Sequence, residues 1–415
     1  MPSNSTPSVT VSPRGAQRLK SGHLWVYRSD VTKTDGLPPG ALVHVRDHRG
    51  RTLGSALYSS ASQIAIRLLT SKTIGEGELI PLLDQRIERA LRFRRRHVHN
   101  SDSYRAIFSE ADLLPGLIVD KYNDVLAMQV LTQAFDQGHI RQAVAEQLSR
   151  HFPETSLLDR VDPHIRELEQ LPQRESQLVF GGKSWTLFTL NGVSFHFDGL
   201  SGQKTGAFLD QRENYARAAR YAHGEALDCF TYQGGFALHL ARVCSAVTAA
   251  DASRPALEVA EQNEKLNRDA HSSGEIDWIK ANAFDLLKDY SSEGRQYDTI
   301  VLDPPAFAKS KRTVDTALRG YKELNLRALK MLRPGGVLVT CSCSFHVEQA
   351  AFSAMLATAA ADADRDRRTL RDGQDHARPP RRAGPRRRAR RAGLAQRRDP
   401  QAARRRGAQD RKSVV

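Results

Sequence analysis

The sequence predicts an α/β protein built around a doubly wound parallel sheet over residues 199–361, with a small β module and an α+β segment ahead of it. Three observations predict this. Apolar strand-like runs alternate with helical periods from 199 onward. Short apolar runs separated by Pro/Gly turns fill residues 9–70. The stretch between mixes both periods. At 415 residues and 40% apolar content, the chain has room for two or three ordinary cores.

In the first module, apolar runs recur at 24–27, 41–45, 53–58 and 64–69. Leu37-Pro38-Pro39-Gly40 and Asp47-His48-Arg49-Gly50 supply turns between them, a compact barrel or sandwich pattern. From 76 to 100 the period becomes helical, with Leu79, Leu82, Leu83, Ile87, Ala90 and Leu91 on one face. Arg92-Phe93-Arg94-Arg95-Arg96-His97 ends that helix. Such a run suits the negative end of a helix dipole, and it equally suits a nucleic-acid phosphate. Strands are expected at 117–119 and 125–131, a helix at 136–152, and a polar connector at 161–175. Gly181-Gly182 and Asn191-Gly192 then separate three strand-like runs, which reads as a meander leading into the last domain. The sheet strands are expected at 226–230, 246–250, 276–280, 299–302 and 337–340, with helices such as 255–267, 320–331 and 347–361. The domains are therefore 8–75, 76–198 and 199–361, followed by a tail at 362–415.

Charge and cysteine content bound the function. The four cysteines, Cys229, Cys244, Cys341 and Cys343, show no Cys-x-x-Cys spacing. Neither a structural metal site nor a disulfide framework is expected, and a reduced cytoplasm is the expected setting. Residues 1–12 lack an apolar signal core, and no apolar run reaches the length of a membrane span. The net charge of +15 is uneven: residues 361–415 hold 18 Arg and one Lys against seven Asp, net +12, leaving +3 for the rest. Binding to a polyanion must therefore rest on modules and patches rather than on overall charge.

Residues 228–236 read as a strand, a glycine turn and a helix, and include Asp228, Phe230, Tyr232, Gly234 and Gly235. Glycines allow close backbone approach to a cofactor, and the helix amides would face its polar groups. Asp251, about twenty residues on at the next strand end, suits the two hydroxyls of a ribose. Asn282 and Ala283 end the third strand and could hold an adenine. No phosphate-cradling Lys motif follows, which points away from ATP and towards S-adenosylmethionine.

Asp303-Pro304-Pro305-Ala306-Phe307 ends the fourth strand and Thr340-Cys341-Ser342-Cys343-Ser344 the fifth. The prolines fix a rigid bend, which by itself is a strand stop. Asp303 could hydrogen-bond the edge of a flipped base and Phe307 could stack on it. Cys341 and Cys343 share a strand face. Cys341 fits a small core residue, whereas Cys343 lies further past the strand end, nearer the cleft. A carboxyl and a thiol in one cleft suit methylation of carbon 5 of a pyrimidine. A thiolate adds at carbon 6 and an acid acts near nitrogen 3.

These stretches resemble the bacterial class I S-adenosylmethionine-dependent 23S rRNA methyltransferases with an N-terminal PUA domain, especially their cytosine-5 branch. Residues 22–27 and 66–69 are similar to the PUA module, and Tyr104-Arg105 with 110–120 to the central domain. Residues 202–214, Gly-Gln-Lys-Thr-Gly-Ala-Phe-Leu-Asp-Gln-Arg-Glu-Asn, are the most specific match. The resemblance implies a Rossmann-like methyltransferase domain, with 23S rRNA or a large-subunit assembly intermediate as partner. A homodimer is an open expectation. It implies that Lys204, Thr205, Gly206 and Asp210 face the cofactor, joining Asp228, Phe230, Tyr232, Gly234, Gly235, Asp251, Asn282, Ala283 and Asp303. Gln203, Arg212, Pro305 and Phe307 would face RNA. Cys343 is implied as the nucleophile and Asp303 as its acidic partner. Ala306 stands where another class of RNA cytosine-5 enzymes carries a second cysteine. The same Asp-Pro-Pro-Ala-Phe segment also resembles guanine methyltransferases that use no thiol, and a catalytically inactive RNA-binding protein is a further alternative.

The family sheet ends with two more strands after the 347–361 helix. Here an Arg/Pro/Ala/Gly-rich segment follows, and it cannot supply two buried strands. We read it as a reading-frame change near residue 365, or else as a basic RNA-binding tail. The frame change predicts that resequencing restores a longer α/β frame. It also predicts that peptide mass spectrometry of the native protein finds nothing from 380–415. Recovering those peptides establishes the basic tail.

Overall fold

The structure is a computed structural model that describes residues 6–34, 36–200, 207–271, 274–365 and 413–414. The chain forms two compact units, residues 1–216 with 259–271, and residues 217–258 with 272–415.

In the first unit, β1 (Ser8–Val11), α1 (Pro13–Lys20), β2 (Trp25–Tyr27), β3 (Val31–Lys33), β4 (Leu42–Arg46), β5 (Thr52–Tyr58) and β6 (Ile64–Thr70) form the N-terminal module. The sheet order is β2-β6-β5-β4-β1-β3. β2 and β3 lie at opposite ends of that order, yet only Arg28–Asp30 separate them in the chain. The sheet must therefore curl round on itself, as the barrel reading expects. The sequence reading missed β1, β3 and α1. α1 is set by Ser12, whose hydroxyl accepts from the Gly15 amide, with Pro13 at the first helical position.

The rest of this unit begins with α2 (Glu76–His97), β7 (Tyr104–Phe108), β8 (Leu117–Tyr122), β9 (Val125–Val130) and α3 (Gly138–His151). β10 (Ser156–Asp159), α4 (Pro163–Leu168), β11 (Gln177–Phe180), β12 (Trp185–Leu190) and β13 (Val193–Asp198) follow. The α2 face Leu79, Leu83, Ile87 and Leu91 packs into one core with Ile107, Leu126 and Phe135, and with Leu42, Leu57 and Leu69 of the N-terminal module. A buried polar seam joins the same two parts. Glu169 accepts from Ser59 Oγ at 2.8 Å and Arg67 Nη2 at 3.3 Å. Two expectations need correction. The polar connector at 161–175 contains α4, capped by Asp162. The meander is divided: β11 pairs with β10 in the sheet β11-β10-β9-β8-β7, and only β12 and β13 form a hairpin. Strands on each side of a Gly-Gly turn need not pair with one another, because register depends on which faces are buried.

In the second unit, β14 (Glu225–Cys229), β15 (Ala246–Asp251), β16 (Glu275–Lys280), β17 (Tyr297–Leu302) and β18 (Leu332–Ser342) are all parallel, in the order β16-β15-β14-β17-β18. Each of the five matches an expected strand, and β18 is longer than expected. α5 (Arg212–Tyr221) precedes the sheet. α6 (Gly235–Leu240), α7 (Arg254–His271), α8 (Ala283–Ser292), α9 (Val314–Met331) and α10 (Gln349–Asp362) connect or follow its strands. Val301, Leu302, Leu227 and Ile300 are fully buried, as strands covered on both faces must be. A two-residue strand, β19 (Ser413–Val414), pairs antiparallel with β18 at Cys341 and Ser342. The remainder of the tail lies outside the described residues. β14 is flanked by β15 and β17, so the chain reverses direction across the sheet there. The carboxyl ends at such a switch point are where α/β sheets bind ligands.

Candidate cofactor and catalytic site at the strand ends

Three acidic residues, Asp228, Asp251 and Asp303, come from neighbouring strands. Asp228 is fully buried near the end of β14. Its Oδ2 accepts from Thr231 Oγ1 at 2.6 Å and from the Ala237 amide at 3.0 Å. Its Oδ1 is buried with no hydrogen-bond partner among the described residues. Burial pushes this carboxyl up to about 7, and the charges of Asp303 and Asp251 push the same way.

After β14 the backbone turns sharply. Phe230 (φ 66°), Tyr232 (φ 52°) and Gly234 (φ 85°) all take left-handed conformations. Only Gly234 adopts that region without steric cost, so the strain at Phe230 and Tyr232 marks a loop held for a purpose. What holds it is visible. The Tyr232 amide donates to Asp251 Oδ2 at 2.9 Å, and the Ser253 amide donates to Asp251 Oδ1 at 2.8 Å. Asp251 is thus anchored at the end of β15 and half-exposed. The expected role of the helix amides is altered: α6 is six residues long, and its Ala237 amide is taken by Asp228. Asn282, expected to hold an adenine, has a structural role as well. It caps α8, with Oδ1 accepting from the Phe284 amide at 2.9 Å, so that oxygen serves the helix. Ala283 is buried beside it.

Asp303 is half-buried just beyond β17, and its amide donates to Cys229 O at 3.4 Å. Pro305 and Ala306 are exposed. Phe307, expected to stack on a base, is half-buried. Its ring lies 5.9 Å from Phe284 and 4.7 Å from Tyr321, within a row that Tyr321 continues to Phe352. Two aromatic neighbours thus pack against a ring that the sequence suggested would face a base.

The four cysteines divide clearly. Cys229, Cys244 and Cys341 are buried, and only Cys343 is half-exposed. Burial raises the Cys229 thiol and pushes Cys244 up to about 11, away from reactivity. Cys343 Sγ lies 3.6 Å from Pro304 O, which sets the thiol beside the Asp-Pro-Pro segment. Its neighbours in sequence hold it there. Ser342 Oγ donates to the Tyr321 hydroxyl at 3.1 Å, the Tyr321 hydroxyl and Ser344 Oγ are 2.9 Å apart, and the Ala308 amide donates to Ser344 Oγ at 3.1 Å. Ser342, Ser344 and Tyr321 are all buried. This seam ties the end of β18 to α9 and to the loop after Asp303. Sequence reasoning missed it. The available signal was a tyrosine on the buried face of α9, since a buried phenol needs a polar partner.

Of the residues expected from the 202–214 match, Gln203, Lys204, Thr205 and Gly206 lie outside the described residues. Asp210 and Arg212 belong to the first unit. Asp210 is exposed and its charge is felt at Arg105. Arg212 pairs with Glu213 at 2.7 Å, and its carbonyl accepts from Asn191 Nδ2 at 2.8 Å.

A parallel sheet with reversed strand order, a strained turn after its central strand and an anchored acid on the next strand define the class I methyltransferase fold and its nucleoside-cofactor site. Residues 173–363 match the model of an S-adenosylmethionine-dependent methyltransferase family, and residues 9–71 that of a PUA-like domain. The chain is similar to Ribosomal RNA large subunit methyltransferase I of Vibrio cholerae serotype O1, 36% identical over 87% of this chain and 91% of that protein. The protein of the same name in Shewanella denitrificans is 36% identical over 86% and 91%. Among solved structures, a methyltransferase complexed with SAH shares the fold at TM-score 0.70 and 18% identity, over 85% of this chain and 90% of that one. This chain belongs to the PUA-containing S-adenosylmethionine-dependent methyltransferase family of those two relatives.

The cofactor is S-adenosylmethionine. The residues present fit it: its sulfonium and ammonium charges match a site with three acidic side chains, one of which has an unused buried oxygen.

Two predictions follow from this geometry. Asp228 is near 3.8 unfolded and about 7 folded, so folding takes up a proton between those values. Its contribution is complete below about pH 4 and is lost as pH rises through 7. The cofactor-free protein should therefore lose several degrees of melting temperature between about pH 4 and 7. Asp228→Asn should flatten that slope in a fluorimetric melt; an unchanged slope would contradict the assignment. Tyr321→Phe leaves two buried serine hydroxyls short of a partner. It should cost about 1–3 kcal/mol of stability and lower kcat, with cofactor affinity by calorimetry unchanged.

Proposed function

We propose that this chain methylates carbon 5 of a cytosine in large-subunit ribosomal RNA, with Cys343 as nucleophile and Asp303 as the acid beside nitrogen 3 of the base. A bacterial cytoplasm is the compartment this substrate implies. The supporting observation is that Cys343, alone of the four cysteines, is half-exposed and sits 3.6 Å from the Asp-Pro-Pro backbone. The rRNA substrate is the one named for the relatives.

In this reading the Cys343 thiolate forms a bond to carbon 6, and the carbon 5–carbon 6 double-bond electrons move to carbon 5. Asp303 hydrogen-bonds the nitrogen 3 edge and supports the charge that develops on the ring. S-Adenosylmethionine, when bound, supplies the electrophilic methyl group. Loss of the carbon 5 proton then returns an electron pair to the ring and expels the Cys343 thiolate. Ala306 offers no second thiol for that last step, so a carboxylate or water takes the proton. Asp251 orients the ribose of the cofactor, and Asp228 supplies the negative surroundings of its cation. Pro305 is exposed beside Asp303, and Phe345, two residues past Cys343, is 77% exposed. Phe345 is thus better placed than Phe307 to stack on RNA.

The test uses labelled cofactor and unmodified 23S rRNA transcript. Cys343→Ala and Cys343→Ser should both lose transfer by at least about 10²-fold while binding cofactor normally. RNA carrying 5-fluorocytidine, whose carbon 5 cannot lose a proton, should trap a covalent adduct with wild type and not with Cys343→Ala. Full transfer by both variants would remove the thiol mechanism in favour of thiol-free guanine methylation. Absence of transfer by wild type would favour an RNA-binding protein without catalysis.

A further inference from the structure

The Arg-rich end of α2 resolves into two kinds of arginine. Arg94 is structural. Its guanidinium holds both oxygens of Asp112, at 2.5 and 2.6 Å, and Nε donates to Arg105 O at 3.1 Å. Arg92 pairs with Glu88 one turn back. Arg89, Arg95 and Arg96 are exposed and form no ion pair among the described residues. At 3.6 residues per turn, Arg95, Arg92, Arg96, Arg89, Phe93 and His97 follow one another round a continuous exposed face, while Arg94 points the other way.

Helix-dipole compensation accounts for cations in a last turn. It does not account for Phe93, whose side chain is 58% exposed. The Phe93 and His97 rings lie 4.3 Å apart, and the Arg94 guanidinium carbon is 5.6 Å from the Phe93 ring. Two nearby carboxylates are already engaged, Glu88 by Arg92 and Asp112 by Arg94. Arg150 adds a cation on α3: after burial, the Arg95 and Arg150 charges lower His151, while Glu88 and Asp84 oppose them. An aromatic pair set among uncompensated guanidiniums is what an unpaired nucleotide requires: a ring to stack on and cations for the flanking phosphates.

We propose that this face of α2 is a docking surface for an unpaired segment of the RNA substrate, with a base stacked on Phe93 and the flanking phosphates on Arg89, Arg95 and Arg96. The proposal rests on the RNA reading above and adds a second grip, remote in sequence from the catalytic residues.

Filter binding of the full-length protein to 23S rRNA transcript, and to a short unstructured RNA, over a range of salt concentrations tests it. Arg95→Glu/Arg96→Glu should weaken both by at least about tenfold and reduce the log–log salt slope by about 1–2. Phe93→Ala should weaken binding by roughly tenfold and leave the slope unchanged, as loss of stacking does. Both variants should raise KM for RNA without changing kcat or cofactor affinity, and both should melt like wild type because the residues are exposed. Binding within twofold of wild type by either variant overturns the docking surface while leaving the substrate reading intact. Failure of wild type to bind either RNA overturns both.

Discussion

The Tyr321 hydroxyl fixes the carboxyl end of β18. Ser342 and Ser344 flank Cys343, and both converge on that one buried phenol. With the serines turned inward, the residue between them turns towards Pro304 and is half-exposed. The Ala308 amide on Ser344 extends the tie to the loop that begins at Asp303. Acid and thiol are therefore placed by one small network, though they come from different strands. A fully satisfied buried network of this kind rigidifies, and a partly satisfied one is costly.

Electrostatics complete the site. Burial raises the Asp228 carboxyl of β14, and the charges of Asp303 and Asp251, beyond the neighbouring strands, push it the same way. Such crowding is unfavourable in an empty site and favourable around a cation. The same logic governs the first unit in reverse: the exposed face of α2 gathers guanidiniums, and Glu88 and Asp112 beside it are already engaged. One region suits a cationic cofactor, the other an anionic polymer. Each is legible from which charges have local partners and which do not.

Much of the fold could be read directly. The five parallel strands follow apolar runs such as Thr299-Ile300-Val301-Leu302, because strands buried on both faces must be apolar throughout. α2 follows its heptad-like leucines. The misses share a cause. β1 and β3 are four and three residues long, α4 six, and elements this short carry too few periods to stand out from a loop. That β11 pairs back with β10 could not be read, since pairing is a long-range choice. The placement of Asp228, Asp251, Asp303 and Cys343 near strand ends was legible because each closes a recognisable apolar run. The helix-capping role of Asn282 and the packed ring of Phe307 were not, because neither depends on its own strand.

The sequence by itself determined the order of the strands along the chain, the residues at their carboxyl ends and the resemblance that joins them. These follow from local pattern and motif. Only the tertiary structure decided which cysteine is accessible, which oxygen of Asp228 lacks a partner, and which arginines of α2 are already spent. Each of those depends on a contact between residues far apart in sequence, Tyr321 with Ser344 or Arg94 with Asp112, and no local period encodes such a contact.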